Sequence, residues 1–303
     1  MTSSAIELRR STPFLPLAQQ SLNQDQPFPV GVYMQRKEYL MEDEDETLRL
    51  ERKTDRETLQ RQAQWAGIRP GMRVADIGCG SGITSSFLHD LVQPGGSVVG
   101  FDFSEKRITH AREHYAQEKI EFHCRDMLDP LDDVGMFDFV WVRFVLEYFL
   151  AGSFDVVKNI STIVKPGGIL CLIDLDYNCL SHYGVPVRLE RALFEIMHQL
   201  QEKADFDPYA GRKLYSYLYD LDYEDLDVTI SGHHVLFGEL READSFNWMK
   251  KVEIAPRRIG YAFPEYGGGH EEFIEEFRRF FTDPRRFTYS PIISCRGRKT
   301  KQC

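Results

Sequence analysis

One stretch constrains this chain more than any other: Arg73-Val74-Ala75-Asp76-Ile77-Gly78-Cys79-Gly80-Ser81-Gly82. Val74, Ala75 and Ile77 are small or β-branched, as a strand buried on both faces requires. Pro70-Gly71 before them signals a turn. Gly78, Gly80 and Gly82 then fall at alternate positions, where a missing Cβ lets the backbone turn at positive φ and approach a ligand closely. The apolar run from Ile83 to Leu91 continues as a helix, so the spacing predicts strand, glycine turn and helix, with the helix N-terminus facing whatever the turn holds. A fold that exposes such a turn at the end of a buried strand is an α/β fold.

The downstream rhythm agrees. Ser97 to Asp102, Ile120 to Arg125, Phe137 to Val142 and Ile169 to Asp174 read as four further strands. Helices headed by Ser104 and centred on Phe154 to Val164 lie between them, and a capping-box spacing at Thr54 to Glu57 opens a helix that stops at Gly67. Alternation with short links implies a mostly parallel sheet with helices on both faces and right-handed crossovers. After Asp174 the pattern changes. Val187 to Lys203, Glu239 to Ile254 and Glu271 to Phe281 read as helices, Asp227 to Leu236 and Phe287 to Cys295 as strands, and Arg296 to Cys303 as a basic tail.

The motif resembles motif I of the class I S-adenosylmethionine (SAM)-dependent methyltransferases, hydrophobic-Asp-hydrophobic-Gly-x-Gly-x-Gly. A dinucleotide fingerprint, G-x-G-x-x-G, needs a third glycine where Ile83 stands. Asp76 would repel a pyrophosphate and suits a ligand carrying an ammonium group. The resemblance spans about residues 48–296 and implies a Rossmann-like, doubly wound seven-stranded sheet. Its last strand is antiparallel and set between the fifth and sixth. A long helical stretch from 238 to 282 departs from the minimal family pattern. The expected organisation is an N-terminal arm or lid over 1–47, a SAM-binding α/β core over 48–174, a substrate-binding cap with the sixth strand over 175–286, and the final strand and tail over 287–303.

The resemblance also implies site roles. Asp76, Gly78, Cys79, Gly80 and Gly82 would line the methionyl part of SAM. Asp102 would accept from the ribose hydroxyls, Phe103 would stack on the adenine, and Asp126-Met127 would meet the adenine amine and ring. Arg143, at the exit of the fourth strand, would contact the methionyl group or the substrate, or be held by Glu147 one helical turn on. A hydroxyl or protonated amine acceptor needs a general base. Candidates are His182, Tyr183, His233 and His234, with Tyr33 and Tyr39 as closing groups from the arm; the tyrosines between 209 and 223 read as packing. Asp174-Leu175-Asp176-Tyr177-Asn178 resembles part of a catechol-type metal site, but the matching acid after the fourth strand is missing, so no metal is expected. Asn/Asp-Pro-Pro-Tyr and Pro-Cys motifs are also missing, which sets aside adenine-N and cytosine-C5 chemistry.

Composition limits the rest. The 303 residues are 42% hydrophobic with a formal charge of −10, which suits a globular protein and argues against a non-specific grip on nucleic acid. The Arg-Arg pairs at 257, 278 and 285 read as solvated faces. Six cysteines without C-x-x-C spacing, no leader-like segment and no long apolar run give the expectation of a cytoplasmic protein with no membrane partner. The expected activity is methyl transfer from SAM to a small molecule at an O, N or C atom. A non-catalytic SAM-binding regulator and a nucleotide-dependent oxidoreductase are the rival readings, and an aminopropyl transferase is a further one. Oligomeric state is left open.

Overall fold

The computed structural model describes residues 40–41, 46–177 and 181–301. The expectations placed on Tyr33, Tyr39 and most of the N-terminal arm, and on Asn178, Cys179 and Cys303, lie outside these residues. Five parallel strands carry the first half: β1 (Arg73–Ile77), β2 (Ser97–Asp102), β3 (Ile120–Cys124), β4 (Phe137–Arg143) and β5 (Val164–Leu175). β1 lies between β2 and β4, so the strand order reverses beside it. β8 (Phe287–Lys299) pairs antiparallel with β5 on one side and with β7 (Tyr223–Phe237) on the other. This is the expected sheet, mostly parallel with the last strand antiparallel and inserted. A two-residue strand, β6 (His182–Tyr183), is added at the start of β8.

The alternation of the strands buries two faces. Val74, Phe139, Trp141, Cys171 and Ile173 point to one side, under α2 (Arg56–Ala66) and α3 (Ile83–Val92). Ala75, Ile77, Val140, Val142 and Leu172 point to the other, under α5 (Ser153–Thr162) and α7 (Leu214–Asp220). α4 (Glu105–Tyr115) packs Ile108 and Ala111 on Phe122 of β3. The helix ends follow local chemistry. Ser104 caps α4 by accepting from the Arg107 N–H, and Gly67 ends α2 at φ 98°. The start of α2 needs a correction: Asp55, not Thr54, is the cap, its carboxylate accepting from the Thr58 N–H at 2.7 Å. α1 (Glu46–Lys53) precedes it.

A separate apolar cluster joins α6 (Val187–Ala204), α8 (Glu242–Arg258) and α9 (Gly269–Thr282) through Leu193, Met197, Trp248, Phe273, Phe277 and Phe281. Several of these side chains are fully buried, each contributing about 1.5–3 kcal/mol of transfer free energy. The residues read as the start of a basic tail are instead strand: Arg296, Gly297, Arg298 and Lys299 complete β8. Their charges find partners there, Arg298 on Asp225 and Lys299 on the Ser161 carbonyl. Among the described residues no helix is long and apolar enough to cross a membrane.

Candidate active site

The carboxyl ends of β1, β2 and β4 open on one crevice, at the point where the strand order reverses. The glycine turn forms its floor. Gly78, Gly80 and Gly82 have φ of 71°, 56° and 92°. The N–H groups of Gly78 and Cys79 both donate to the Phe101 carbonyl, at 2.8 and 2.9 Å, which fastens the turn to β2. The glycines answer to different neighbours. A Cβ at Gly78 would meet Val145 at 2.4 Å, and one at Gly80 would meet Leu50 of α1 at 3.1 Å. At Gly82 it would strike Ala111 at 2.8 Å and Phe122 at 3.0 Å, so that glycine serves the packing of α3 on α4 and β3. Cys79 is a buried free thiol beneath the turn, its pKa pushed up by burial.

Asp76 is buried behind the turn and accepts from the Ser85 hydroxyl at 2.7 Å. Burial pushes its pKa up to about 7, against the pull of Ser85 and the Arg143 guanidinium. Asp102 ends β2, also buried. Its Oδ2 accepts from the Gly80 N–H at 3.0 Å. Its Oδ1 accepts from the Ser104 N–H at 2.9 Å and from Nε and Nη2 of Arg107 at 3.1 and 3.0 Å. Arg107 had no assigned part in the sequence reading. Its guanidinium also stands over the Phe103 ring, 5.0 Å from the centroid, and that ring is 49% exposed, so Phe103 is not a core residue.

Asp126 follows β3 and turns back on itself, accepting from the Leu128 N–H at 3.0 Å. Met127 is buried against the sheet, with its carbonyl held by Asn159 at 2.9 Å. Arg143 ends β4. Its guanidinium lies 4.2 Å from the Phe144 ring, and its Nε is buried with no hydrogen-bond acceptor among the described residues. Burial lowers its pKa to about 10, while Asp76 and Asp174 oppose the shift. Asp174 itself accepts from the Leu175 and Glu147 N–H groups. Asp176 pairs with Arg212.

Next to this corner a cavity of about 70 Å³ opens beneath α6, α8 and α9. Leu193, Ile196, Met197 and Leu200 of α6, Val252 and Ala255 of α8, and Phe273 of α9 make its walls apolar. One side is polar and comes from scattered elements: Arg49 and Lys53 of α1, Glu147 after β4, His233 and His234 of β7, and Asn247, Trp248 and Lys251 of α8. Lys53 Nζ stands 5.1 Å from the Phe144 ring centroid, and His233 packs on the same ring at 4.8 Å. His233 and His234 lie side by side at 4.1 Å. Burial and the neighbouring cations hold both imidazoles well below the usual histidine range, so both are neutral near pH 7. Arg49 clamps Glu46 through Nε and Nη2 at 2.7 and 2.8 Å and donates from Nη1 to Asn247 at 2.7 Å, tying α1 to α8.

Of the four candidate bases, then, His233 and His234 line the cavity. His182 and Tyr183 do not. His182 bonds Thr288 at 2.9 Å behind Trp248, and Tyr183 is 74% exposed. Lys53, Lys251, Asn247 and Trp248 carry no motif; only their place in the fold, on the cavity wall, reveals them.

Comparison with known proteins bears on this geometry. Residues 75–172 match the family model described as a methyltransferase domain. The chain is 32% identical over 110 residues to the ubiquinone biosynthesis O-methyltransferase of Coxiella burnetii, covering 36% of this chain and 45% of that protein. It is 33% identical over 113 residues to the demethylmenaquinone methyltransferase of Staphylococcus aureus, covering 35% and 44%. It thus spans less than half the length of these curated relatives. Among solved structures, a candidate methyltransferase from Bacillus halodurans C-125 superposes with a TM-score of 0.51 at 18% identity, over 81% of this chain and all of that one. The YcgJ protein of Bacillus subtilis gives 0.50 at 17%, over 82% of this chain and all of that one. The matched segment coincides with β1 to β5 and the glycine turn: over residues 75–172 the chain carries a methyltransferase domain, on a Rossmann-like fold.

Proposed function

We propose that the protein transfers a methyl group from SAM to a small, largely apolar molecule held under α6, α8 and α9. One observation carries this reading. The glycine turn and the apolar cavity share two neighbours: α1, which sets Leu50 by the turn and Lys53 in the cavity wall, and the Arg143-Phe144 corner, where Arg143 acts on Asp76 and stacks on a ring of that wall. A donor in the turn and an acceptor in the cavity are then neighbours, and alignment of the two is most of what such a displacement requires.

The residues fit SAM. When bound, SAM supplies a methyl group already activated by its sulfonium charge. The Asp76 carboxylate and the turn from Gly78 to Gly82, with Cys79, face its methionyl end. The unsatisfied Arg143 Nε suits the methionyl carboxylate, since a buried donor without an acceptor is costly to leave so. Phe103 offers an exposed ring face to the adenine, and Asp126 and Met127 border that end. Asp102 is more crowded than a free ribose acceptor. Oδ1 already takes three donors and Oδ2 one, so Oδ2 accepts one hydroxyl as it stands, and a second needs Arg107 to give way. This reading takes residues 48–174 as the donor-binding core and 175–286 as the cap over the acceptor, although Ala210, Leu214 and Leu218 pack on the sheet face.

Incubation with methyl-labelled SAM and a pool of apolar metabolites is the direct test. Label is expected in a product extractable into organic solvent. Tight SAM binding with no transfer to any member of the pool would leave a binding protein in place of an enzyme.

A further inference from the structure

A strand pair with one solvated face normally turns its polar residues outward. The β7–β8 ribbon does the reverse. Along β8, Thr288, Ser290, Ile292 and Ser294 are buried, while Phe287 and Tyr289 between them are exposed. The register carries this outer face across the ribbon. Val235 of β7 lies beside Tyr289, and Phe237 beside Phe287, which on its other side meets Tyr183 of β6. Ile230 and Val228 continue the face beside Ile293 and Cys295. Phe237 is 69% and Ile230 68% exposed, and Tyr183, Val228 and Val235 are exposed with them. The Phe287 and Tyr289 rings lie 5.9 Å apart, so the surface is continuous there. From Phe287 to Cys295 every residue on this face of the ribbon is uncharged, the others being Pro291 and Gly232. Toward Tyr223 the same face is covered, with Leu214 and Leu218 of α7 in one cluster with Tyr223 and Cys295. The helix seals one end of the face and leaves the other bare.

Area and charge decide what covers it. Half-exposed rings and branched side chains offer roughly 100 Å² each. Together these side chains approach the ~800 Å² per partner of a stable protein pair, above the few hundred Å² that a lone protein usually leaves apolar in one patch. A membrane surface is the poorer fit: the chain carries a formal charge of −10, and the face holds no cation for a lipid phosphate. A second copy meets neither obstacle. An uncharged apolar face packs on itself without bringing like charges together, which is the self-complementarity that two-fold contact requires.

We propose that the bare face of β6, β8 and β7 is a dimer interface, the ribbon of one copy packing face to face on the same ribbon of a second across a two-fold axis. The contact braces the candidate active site from outside. His234 and Leu236 belong to the same stretch of β7 but are buried on its opposite face, and His234 lines the cavity. Nothing in the contact depends on which molecule the cavity holds.

Sedimentation equilibrium of the full chain is the test. At about 10 µM the wild type is expected at twice 35.2 kDa, since apolar interfaces of this size hold at micromolar or tighter affinity. Phe237→Glu and Ile230→Glu each set a carboxylate in the apolar contact and should raise the dissociation constant about a hundredfold or more. Both side chains are exposed in the single chain, so circular dichroism and the denaturant midpoint of the monomeric variants should show an intact fold. Phe194→Glu makes the same change at an exposed ring of α6, off this face, and should leave the dimer as it is. A monomeric wild type overturns the proposal. So does a dimer that survives both face variants, or one lost equally in Phe194→Glu. A monomer that cosediments with vesicles of phosphatidylcholine and phosphatidylserine, and no longer does so as Phe237→Glu, overturns it in favour of a membrane surface.

Discussion

Around the glycine turn, the groups that face a ligand are backbone N–H groups and carboxylates lying within a few residues of a strand end. In the cavity below α8 they are side chains delivered by α1, the segment after β4, β7 and α8, almost two hundred residues apart in the chain. The first region is stiff because its geometry is the sheet's own: the turn is fixed by bonds to Phe101, and Asp102 holds Gly80. The second takes its shape from the packing of Trp248, Phe273, Phe277 and their neighbours. A strand end can be kept while helices above it are exchanged, which is how one donor site serves many acceptors.

The largest expected effect falls at the donor end. Asp102→Ala leaves Arg107 buried without its carboxylate and frees the Gly80 N–H, so it should cost about 3–5 kcal/mol of stability, measured by denaturant unfolding. Affinity for S-adenosylhomocysteine (SAH), read by calorimetry under conditions where the variant is folded, should drop at least tenfold. A variant that keeps both properties would remove Asp102 from the donor end.

A second effect sets pH against that same end. The Asp76 pKa is raised to about 7, so across roughly pH 4–7 the folded carboxyl keeps a proton that the unfolded chain has lost; the stability it contributes is full below about 4 and declines as pH rises through 7. Its carboxylate form is the one that receives an ammonium. SAH affinity should therefore rise about tenfold per pH unit up to about 7 and fall again above about 8, where the ligand's own amine deprotonates. Asp76→Asn should flatten the acidic limb. A flat limb in the wild type would show that Asp76 does not serve the ammonium.

The smallest effect lies on the acceptor side. Phe273→Leu trims a fully buried ring of α9 that lines the cavity, at about 1–2 kcal/mol of stability, given roughly 0.8 kcal/mol for each lost methylene equivalent. SAH affinity should stay within twofold of wild type while transfer of label to an apolar acceptor falls. If SAH binding weakens in step, the two regions are not as separate as their construction implies.

The same contrast explains what the sequence made legible. Arg73 to Gly82 and the strand ends at Asp102 and Arg143 are local patterns, so they can be read without the fold, whereas the inserted antiparallel strand came only with the family resemblance. Asp55 displaced Thr54 as a cap because both residue types cap well and only the backbone decides between neighbours. Arg296 to Lys299 looked like a tail because charge masks strand periodicity; Arg298 and Lys299 have partners only once β7 and α5 are in place. Lys53 and Lys251 were out of reach for a deeper reason. A lysine on a helix usually signals solvent, and nothing in its own neighbourhood announces that a helix two hundred residues away will bury it. Arg107 reads equally well as an ordinary residue of the first turn of α4.

The grip of Arg49 on Glu46 and Asn247 has a kinetic consequence. α1 touches the glycine turn through Leu50 and the acceptor cavity through Lys53, and those hydrogen bonds hold it to α8. One short helix is thus a wall of both compartments. On the reading proposed above, the ligand that first requires α1 in place would bear the entropy of fixing it and the second would find it fixed, so SAH binding is expected to be linked to occupation of the cavity. On the same reading, any ligand exit that requires α1 to lift would have to break the Arg49 bonds, so turnover would depend on a cluster that touches neither reacting atom.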